Sequence, residues 1–303
     1  MNPILAVGSV AFDSIQTKWG KAENIVGGSL SYFTSAAGLF TEVYPVCIVG
    51  EDFPDPLETW GKNRKINLKF FVRTPGKTFR WSGIYHEDMD YRETVLTDLG
   101  VFAQFKPIVD SKWAALPFLF LGNISPLLQL SVLKQVDQNV FSAMDTMNFW
   151  IDGNPSQVYQ VLSEINLMMI NNEELYQLTN EQEEQAALDK IFSQGCKLVI
   201  VKKGKGGAEL HSPENCYKVG IYSVLKVVDT TGAGDSFAGG VLGYLAEKCE
   251  NSSQVKWDIL CRAMCFGTAT ASLSVESFGI DRLSAATREE VDLRAEKIFN
   301  ESS

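Results

Sequence analysis

The feature that most restricts the fold of this chain is the alternation of short apolar segments with longer segments of helical spacing. The apolar segments read as strands buried on both faces of a parallel sheet. They occupy residues 4–10, 44–49, 118–122, 141–146, 167–170 and 197–201. Helical patterns lie between them, so the sequence predicts an α/β fold with a doubly wound, mostly parallel sheet flanked by helices.

Composition excludes several classes of protein. The formal net charge of -10 argues against a nucleic-acid partner, because such domains carry a basic face. Six cysteines without a C-x-x-C spacing and only two histidines make a zinc site unexpected. No apolar run reaches the roughly 20 residues that span a bilayer. We therefore expect a cytoplasmic protein with reduced cysteines and no membrane partner.

The most informative motif is Asp-Thr-Thr-Gly-Ala-Gly-Asp-Ser-Phe-Ala-Gly-Gly at residues 229–240. Its glycines lie where a loop enters a helix, and unpaired N–H groups at a helix start bind anions. Gly232, Ala233 and Gly234 carry almost no side chain, so a phosphate can approach their backbone. Asp235 has two interpretations: a helix cap, or a general base directed at a substrate hydroxyl.

Two earlier positions suggest an acceptor site. Asp13 follows the first predicted strand, and ligands of open α/β sheets collect at the carboxyl ends of strands. Its two oxygens suit a vicinal diol, although a solvated turn aspartate is the alternative. Gly27 and Gly28 precede a helix and allow a second close approach of backbone to ligand.

Taken in this order, these motifs resemble those of the ribokinase-like (PfkB) family of sugar and nucleoside kinases. The resemblance implies transfer of the γ-phosphoryl group of ATP to a hydroxyl of a small sugar. It assigns Asp235 as the general base and Gly232–Gly234 as the anion hole. Two alternatives stay open: an adenosine-like nucleoside kinase on the same fold, and a non-catalytic sugar- or nucleotide-binding regulatory protein.

The resemblance extends to cofactor residues. Asn171 and Glu174 match the family's N-x-x-E motif, which organises Mg²⁺ near the ATP phosphates, and they also match a helix-capping sequence. The match to the family's nucleotide loop consists of Lys202, Gly204 and Gly207. The match to a site for a monovalent cation such as K⁺ consists of Asp229 and Thr231. Lys202 stands where the family usually has threonine.

The acceptor side is less defined. Tyr32 and Asn123 are expected near the acceptor. By resemblance, segments near residues 14–26 and 77–98 form a small β-strand lid on one kinase domain spanning residues 1–303. Arg80 and Arg92 in the lid are candidate contacts to substrate or phosphate, or solvated surface residues. A homodimer through the lid is a further expectation, because exposed strand edges tend to pair.

Overall fold

The computed structural model describes residues 2–86, 89 and 92–302. The strands are β1 (Ile4–Val7), β2 (Ala11–Thr17), β3 (Gly20–Gly27), β4 (Val43–Gly50), β5 (Phe71–Thr74), β6 (Phe79–Tyr85), β7 (Arg92–Asp98), β8 (Phe118–Leu121), β9 (Phe141–Asp145), β10 (Leu167–Asn171), β11 (Leu198–Lys202), β12 (Ala208–His211) and β13 (Cys216–Val219). The helices are α1 (Ser29–Ala37), α2 (Pro56–Thr59), α3 (Pro126–Leu133), α4 (Asn148–Gly153), α5 (Pro155–Leu162), α6 (Asn172–Thr179), α7 (Glu184–Ser193), α8 (Ala233–Lys248), α9 (Trp257–Ser274), α10 (Asp281–Ala285) and α11 (Arg288–Ser302).

Within these residues the central sheet has nine strands in the order β13-β12-β11-β10-β9-β8-β1-β4-β5. The strands from β11 through β10, β9, β8, β1 and β4 to β5 are all parallel, and β12 and β13 add an antiparallel edge. The predicted doubly wound, mostly parallel sheet is confirmed. All the parallel strands point their carboxyl ends to one edge of the sheet, where ligands of such folds bind.

Strand β1 shows why its sequence is apolar without interruption. Ile4 and Ala6 pack into the core on the side of α1, α8, α9 and α11, whereas Leu5 and Val7 pack into the core on the opposite side. All four side chains are at most 1% exposed. A strand covered on both faces needs apolar residues at every position, so period-two alternation is lost.

The lid is a second sheet of four strands in the order β3-β2-β6-β7. Strand β2 pairs with β6 in parallel and with β3 in antiparallel orientation. These strands come from the two segments for which the lid was predicted. Four residues of the second segment, at positions 87, 88, 90 and 91, lie outside the described residues, and with them most of the expected acidic turn at 86–90.

Three local predictions were wrong or incomplete. The sequence also predicts a helix over residues 54–63, but the structure has only the single turn α2, because Gly61 takes a φ of +113° soon after it. It predicts a strand over residues 68–72, but that strand begins only at Phe71, after a 3₁₀ turn at Leu68–Phe70. Helix α4 was not anticipated before α5.

In the described part of the chain, no helix combines the length and the apolar character that crossing a bilayer requires.

Candidate active site

The start of α8 is shaped by a glycine that no other residue could replace. Gly232 is the N-cap and has a left-handed φ of +71°. A Cβ there would lie only 2.2–2.4 Å from ring atoms of Tyr32, so the aromatic ring packs directly against the loop. Ser236 N–H donates to the Gly232 carbonyl at 2.8 Å and fixes the first turn. The N–H groups that follow Gly232 therefore begin a helix whose dipole favours an anion.

Asp235 lies in that first turn with its Oδ1 atom buried, and it does not cap the helix. Among the described residues, no hydrogen-bond partner reaches its Oδ1 atom. Burial raises the pKa of this carboxyl to about 7, and repulsion from Asp145 adds to the effect. The capping interpretation is thus wrong, and a carboxylate with a free lone pair remains available to take a proton.

Lys202 lies beside Asp235 at the carboxyl end of β11. Its Nζ atom donates to both oxygens of Asp145, at 2.9 and 3.0 Å. The same Nζ is 2.9 Å from the point where a Cβ on Gly234 would stand. Burial works against this ammonium, but Asp145 and Glu174 outweigh it and raise its pKa. The lysine is therefore a fixed positive charge at the helix start.

The predicted capping box at the start of α6 is present. Glu174 N–H donates to Asn171 Oδ1 at 2.8 Å, and Asn171 N–H donates to Glu174 Oε2 at 3.1 Å. The Glu174 side chain is nevertheless close enough to Lys202 and Asp145 for their charges to act on it. Burial raises its pKa to about 7, against the lowering effect of Lys202. Glu174 thus combines a structural bond with a place in the charged cluster.

Asp13 lies in a site with space for nothing larger than glycine beside it. A Cβ on Gly27 would be 1.8 Å from Asp13 Oδ2, and Gly28 has a φ of +84°. Gly28 N–H donates to Asp13 Oδ2 at 3.4 Å. Asp13 is 3% exposed, and burial raises its pKa to about 7. The charge of Asp13 also contributes to raising the pKa of Asp235, so the two acids lie in one site.

Tyr32 faces the same carboxyls. Its side chain is 1% exposed, and within the described ranges its hydroxyl has no hydrogen-bond partner. Burial raises the pKa of the phenol well above its usual value, and Asp229 and Asp13 act in the same direction. A buried hydroxyl without a partner is costly unless a ligand supplies one.

The lid is bonded to the loop that precedes α8. Thr231 Oγ1 donates to the Tyr85 hydroxyl at 2.9 Å, and Thr230 Oγ1 donates to the Met89 carbonyl at 3.0 Å. Tyr85 and Met89 are 6% and 5% exposed. The structure thus describes the lid in contact with the loop at the helix start.

The two lid arginines have different environments. Arg80 donates to Asp52 at 2.9 Å, and Asp52 also accepts from Thr78, so Arg80 ties the lid to the loop after β4. Arg92 is exposed at the start of β7, and its charge opposes the burial that raises the pKa of Asp13 and Asp235. Arg92 is therefore the lid arginine that faces the site.

The remaining predicted residues divide into two groups. Asp229 Oδ1 accepts from Thr231 N–H at 2.9 Å, and Asp229 is 1% exposed, as a buried cation ligand would be. Asn123 gives a different result: its Oδ1 accepts from Trp150 Nε1 at 2.9 Å, and its Nδ2 contacts the sulfur of Met147 at 3.0 Å. Both polar ends of Asn123 are used inside the fold, so its expected contact with an acceptor has no support.

The glycines of the predicted nucleotide loop have the left-handed backbone that favours glycine. Gly204 and Gly207 have φ values of +54° and +83°. A Cβ on Gly207 would be 2.1 Å from the Val219 carbonyl oxygen. The loop after β11 therefore turns back tightly into β12, and Lys202 is left at the strand end facing α8.

Sequence reasoning missed Asp145 and the hydrogen bond between Thr231 and Tyr85. Asp145 ends β9, as Asp13 follows β1, so the rule that selected Asp13 would also have found it. Tyr85 gave no such signal, because an aromatic residue in a strand normally reads as packing.

A sequence model described as pfkB family carbohydrate kinase matches residues 7–286. The cytidine kinase of Thermococcus kodakarensis is 24% identical over 262 residues, 80% of this chain and 89% of that protein. The solved nucleoside kinase of Methanocaldococcus jannaschii covers 98% of this chain and 99% of its own, with a TM-score of 0.76 and 20% identity. The ribokinase of Thermotoga maritima covers 98% and 100%, with a TM-score of 0.75 and 22% identity.

Proposed function

Because this chain belongs to the pfkB family of carbohydrate kinases, we propose that it moves the γ-phosphoryl group of ATP to a ribose-type hydroxyl of a nucleoside. The family and its kinase relatives establish a phosphotransferase that acts on an alcohol group, so a non-catalytic regulatory protein is not favoured. The observation that carries the proposal is the Asp235 carboxylate, whose buried Oδ1 atom has no hydrogen-bond partner within the described residues.

In this proposal Asp13 orients the acceptor and Asp235 activates it. The two oxygens of Asp13 accept hydrogen bonds from neighbouring hydroxyls, beside the backbone of Gly27 and Gly28. Asp235 accepts the proton of the reacting hydroxyl as the acceptor oxygen bonds to the γ-phosphorus. The bond from that phosphorus to the β-γ bridging oxygen breaks, and ADP leaves with the electron pair. Tyr32 supplies a hydroxyl to the same acceptor.

The phosphoryl group needs positive charge while it moves. In this proposal the backbone of Gly232–Gly234 lies against its oxygens at the positive end of α8, where Ala233 N–H also donates to the Thr230 carbonyl at 3.2 Å. The Lys202 ammonium lies next to Gly234. Arg92 adds a second cationic group from the lid. Catalysis of phosphoryl transfer is mostly positioning and electrostatics, which these groups can supply without further covalent chemistry.

The donor set near Lys202 fits Mg²⁺. Glu174 and Asp145 offer carboxylate oxygens, the hard ligands that magnesium takes directly or through water. Glu174 keeps one oxygen outside its capping bond to Asn171. When bound, the ion supplies positive charge to the ATP phosphates. Asp229 and Thr231 are our candidate ligands for a monovalent cation such as K⁺, since the Asp229 carboxylate is 1% exposed and accepts from the backbone N–H groups of Thr231 and Gly279 at 2.9 and 3.4 Å.

A nucleoside is preferred over a free sugar for one reason. The cytidine kinase aligns with most of this chain and most of its own length. A free pentose is the second candidate, because a ribokinase superposes over the whole chain and Asp13 would hold either ribose equally. Strand β7 is exposed at the edge of the lid sheet, and exposed strand edges tend to pair, so we also propose a homodimer formed through the lid. The mass of the protein in solution tests this proposal.

The experiment is ADP release with Mg-ATP over a panel of nucleosides, pentoses and hexoses, with Asp235→Asn in parallel. We expect turnover on a nucleoside that the variant loses. Turnover on a free sugar alone would replace the nucleoside by the second candidate. Full activity of the Asp235→Asn variant would overturn the assignment of the base.

A further inference from the structure

The hairpin of β12 and β13 gathers three metal-binding side chains away from the kinase site. Glu209 and His211 are two residues apart on β12, so they share one face of the strand. The register pairs His211 with Cys216 on β13, and pairs Glu209 with Lys218. Leu210 and Tyr217, on the other face, pack into the core. The sequence spacing does not resemble a zinc motif, but strand pairing brings these residues together.

Their ligand atoms are close enough to share one ion. One ligand atom each from Glu209, His211 and Cys216 lies within 4.8 Å of the other two. His211 Nε2 is 3.2 Å from Glu209 Oε2. Ligands at roughly 2.0–2.3 Å from a tetrahedral zinc ion are separated by about 3.3–3.8 Å, so small side-chain rotations would complete the geometry.

His211 provides independent support for a ligand. It is 8% exposed, and among the described residues Nε2 has no hydrogen-bond partner, although it lies 3.2 Å from Glu209 Oε2. An imidazole nitrogen facing a carboxylate oxygen is satisfied when a cation lies between them.

We propose that Glu209, His211 and Cys216 bind a divalent transition metal of the zinc class. Imidazole and thiolate select such ions over Mg²⁺ and Ca²⁺, which prefer oxygen ligands. Three protein ligands leave a fourth position for water. The site is distinct from the kinase centre: β12 runs antiparallel to β11, and His211 pairs with Val199, away from the strand end that carries Lys202.

Two ammonium groups now bond Glu209, and both have alternatives. Lys203 Nζ is 3.0 Å from Glu209 Oε2, but it is also 2.7 Å from Glu184. Lys218 Nζ is 2.8 Å from Oε1, and its side chain is 72% exposed. A metal on Oε2 therefore leaves no ammonium buried without a partner.

The test uses the full-length protein, freed of metal by a chelator and kept without nucleotide. It is titrated with Co²⁺, whose bond to a thiolate gives a charge-transfer band in the near ultraviolet. We expect one Co²⁺ per chain with that band, and its displacement by Zn²⁺. The variants are Cys216→Ser and His211→Gln, with Cys261→Ser as the matched control, because Cys261 is a half-buried thiol on α9 outside the cluster.

The proposal predicts that the band is lost in Cys216→Ser, is weakened or lost in His211→Gln, and is kept in Cys261→Ser. Because Cys216 is the exposed cysteine, Zn²⁺ should also protect it from alkylation, as mapped by mass spectrometry. Binding without a thiolate band, binding unchanged in Cys216→Ser, or no protection of Cys216 would each overturn the proposal. The protection measurement needs only the wild-type chain, so a variant that fails to fold does not remove the test.

Discussion

Replacing Asp235 by asparagine should abolish most activity and, above pH 7, stabilise the ligand-free protein. Burial raises the pKa of Asp235 from 3.8 to about 7. A raised pKa in the folded state means that stability is present below pH 4 and is lost as the pH rises through about 7. A shift of about three units at 1.36 kcal/mol each corresponds to a loss of about 4 kcal/mol. Asparagine carries no charge, so the variant avoids this loss of stability.

The assay is thermal unfolding of both proteins at pH 5 and pH 8 without ligands. We expect the variant to melt roughly 4–10 °C higher at pH 8, with a smaller difference at pH 5. In parallel, kcat/KM should fall about 10²–10⁴-fold, the usual contribution of a general base. Asp13 and Glu174 also have raised pKa values, but they are present in both proteins and largely cancel in the comparison.

Asp52→Asn is the matched control, because its predicted stability change has the opposite sign. Burial alone would raise the pKa of Asp52, but bonds from Thr78 and Arg80 lower it. Its ionised form therefore stabilises the fold at pH 8, and the asparagine variant should melt lower. An Asp235→Asn protein that is no more stable than wild type at pH 8, or a gain equal at both pH values, would refute the reasoning about buried charge.

Three further substitutions test the other groups. Lys202→Met removes the ammonium beside Gly234 and the ion-pair partner of Asp145, so kcat/KM for Mg-ATP should fall about 10²-fold. Lys202→Arg should recover part of this activity, and an unchanged kcat/KM in Lys202→Met would contradict a role of Lys202 in phosphoryl transfer. Arg92→Ala removes a charge that lowers the pKa of the proposed base Asp235, so the ascending limb of the pH–rate profile should move to higher pH; a limb that stays in place would count against Arg92. Gly27→Ala forces a Cβ to within 1.8 Å of Asp13 Oδ2, so kcat/KM for the acceptor should fall at least about tenfold while thermal stabilisation by ADP persists; loss of both would indicate misfolding instead.

The sequence predicted the architecture well because its strands are buried on both faces and so have an unambiguous apolar pattern. Prediction failed where a single turn decides the outcome, as at Gly61, whose positive φ follows soon after α2. Local chemistry of this kind depends on contacts that periodicity does not record. The Cβ of a residue at position 61 would meet the carbonyl of Ser284, more than 200 positions away.

The site residues divide along the same line. Asp235 and Glu174 could be selected because each belongs to a contiguous motif. The partner of Lys202 could not, because Asp145 is 57 residues away and only the pairing of β9, β10 and β11 brings them together. The Glu209, His211 and Cys216 cluster likewise depends on hairpin register, which spacing along the chain does not reveal.

The balance of charge in the site favours a nucleotide that brings its own cation. Its described residues include five carboxyl groups and two cationic groups: Asp13, Asp145, Glu174, Asp229 and Asp235, and Lys202 and Arg92. Three of these carboxyls have a pKa raised to about 7, so the site already resists negative charge. A bare triphosphate would add to this repulsion, whereas Mg-ATP reduces it. One of the two cationic groups comes from the lid, so neutralisation of the phosphoryl group and exclusion of water depend on the same closed arrangement.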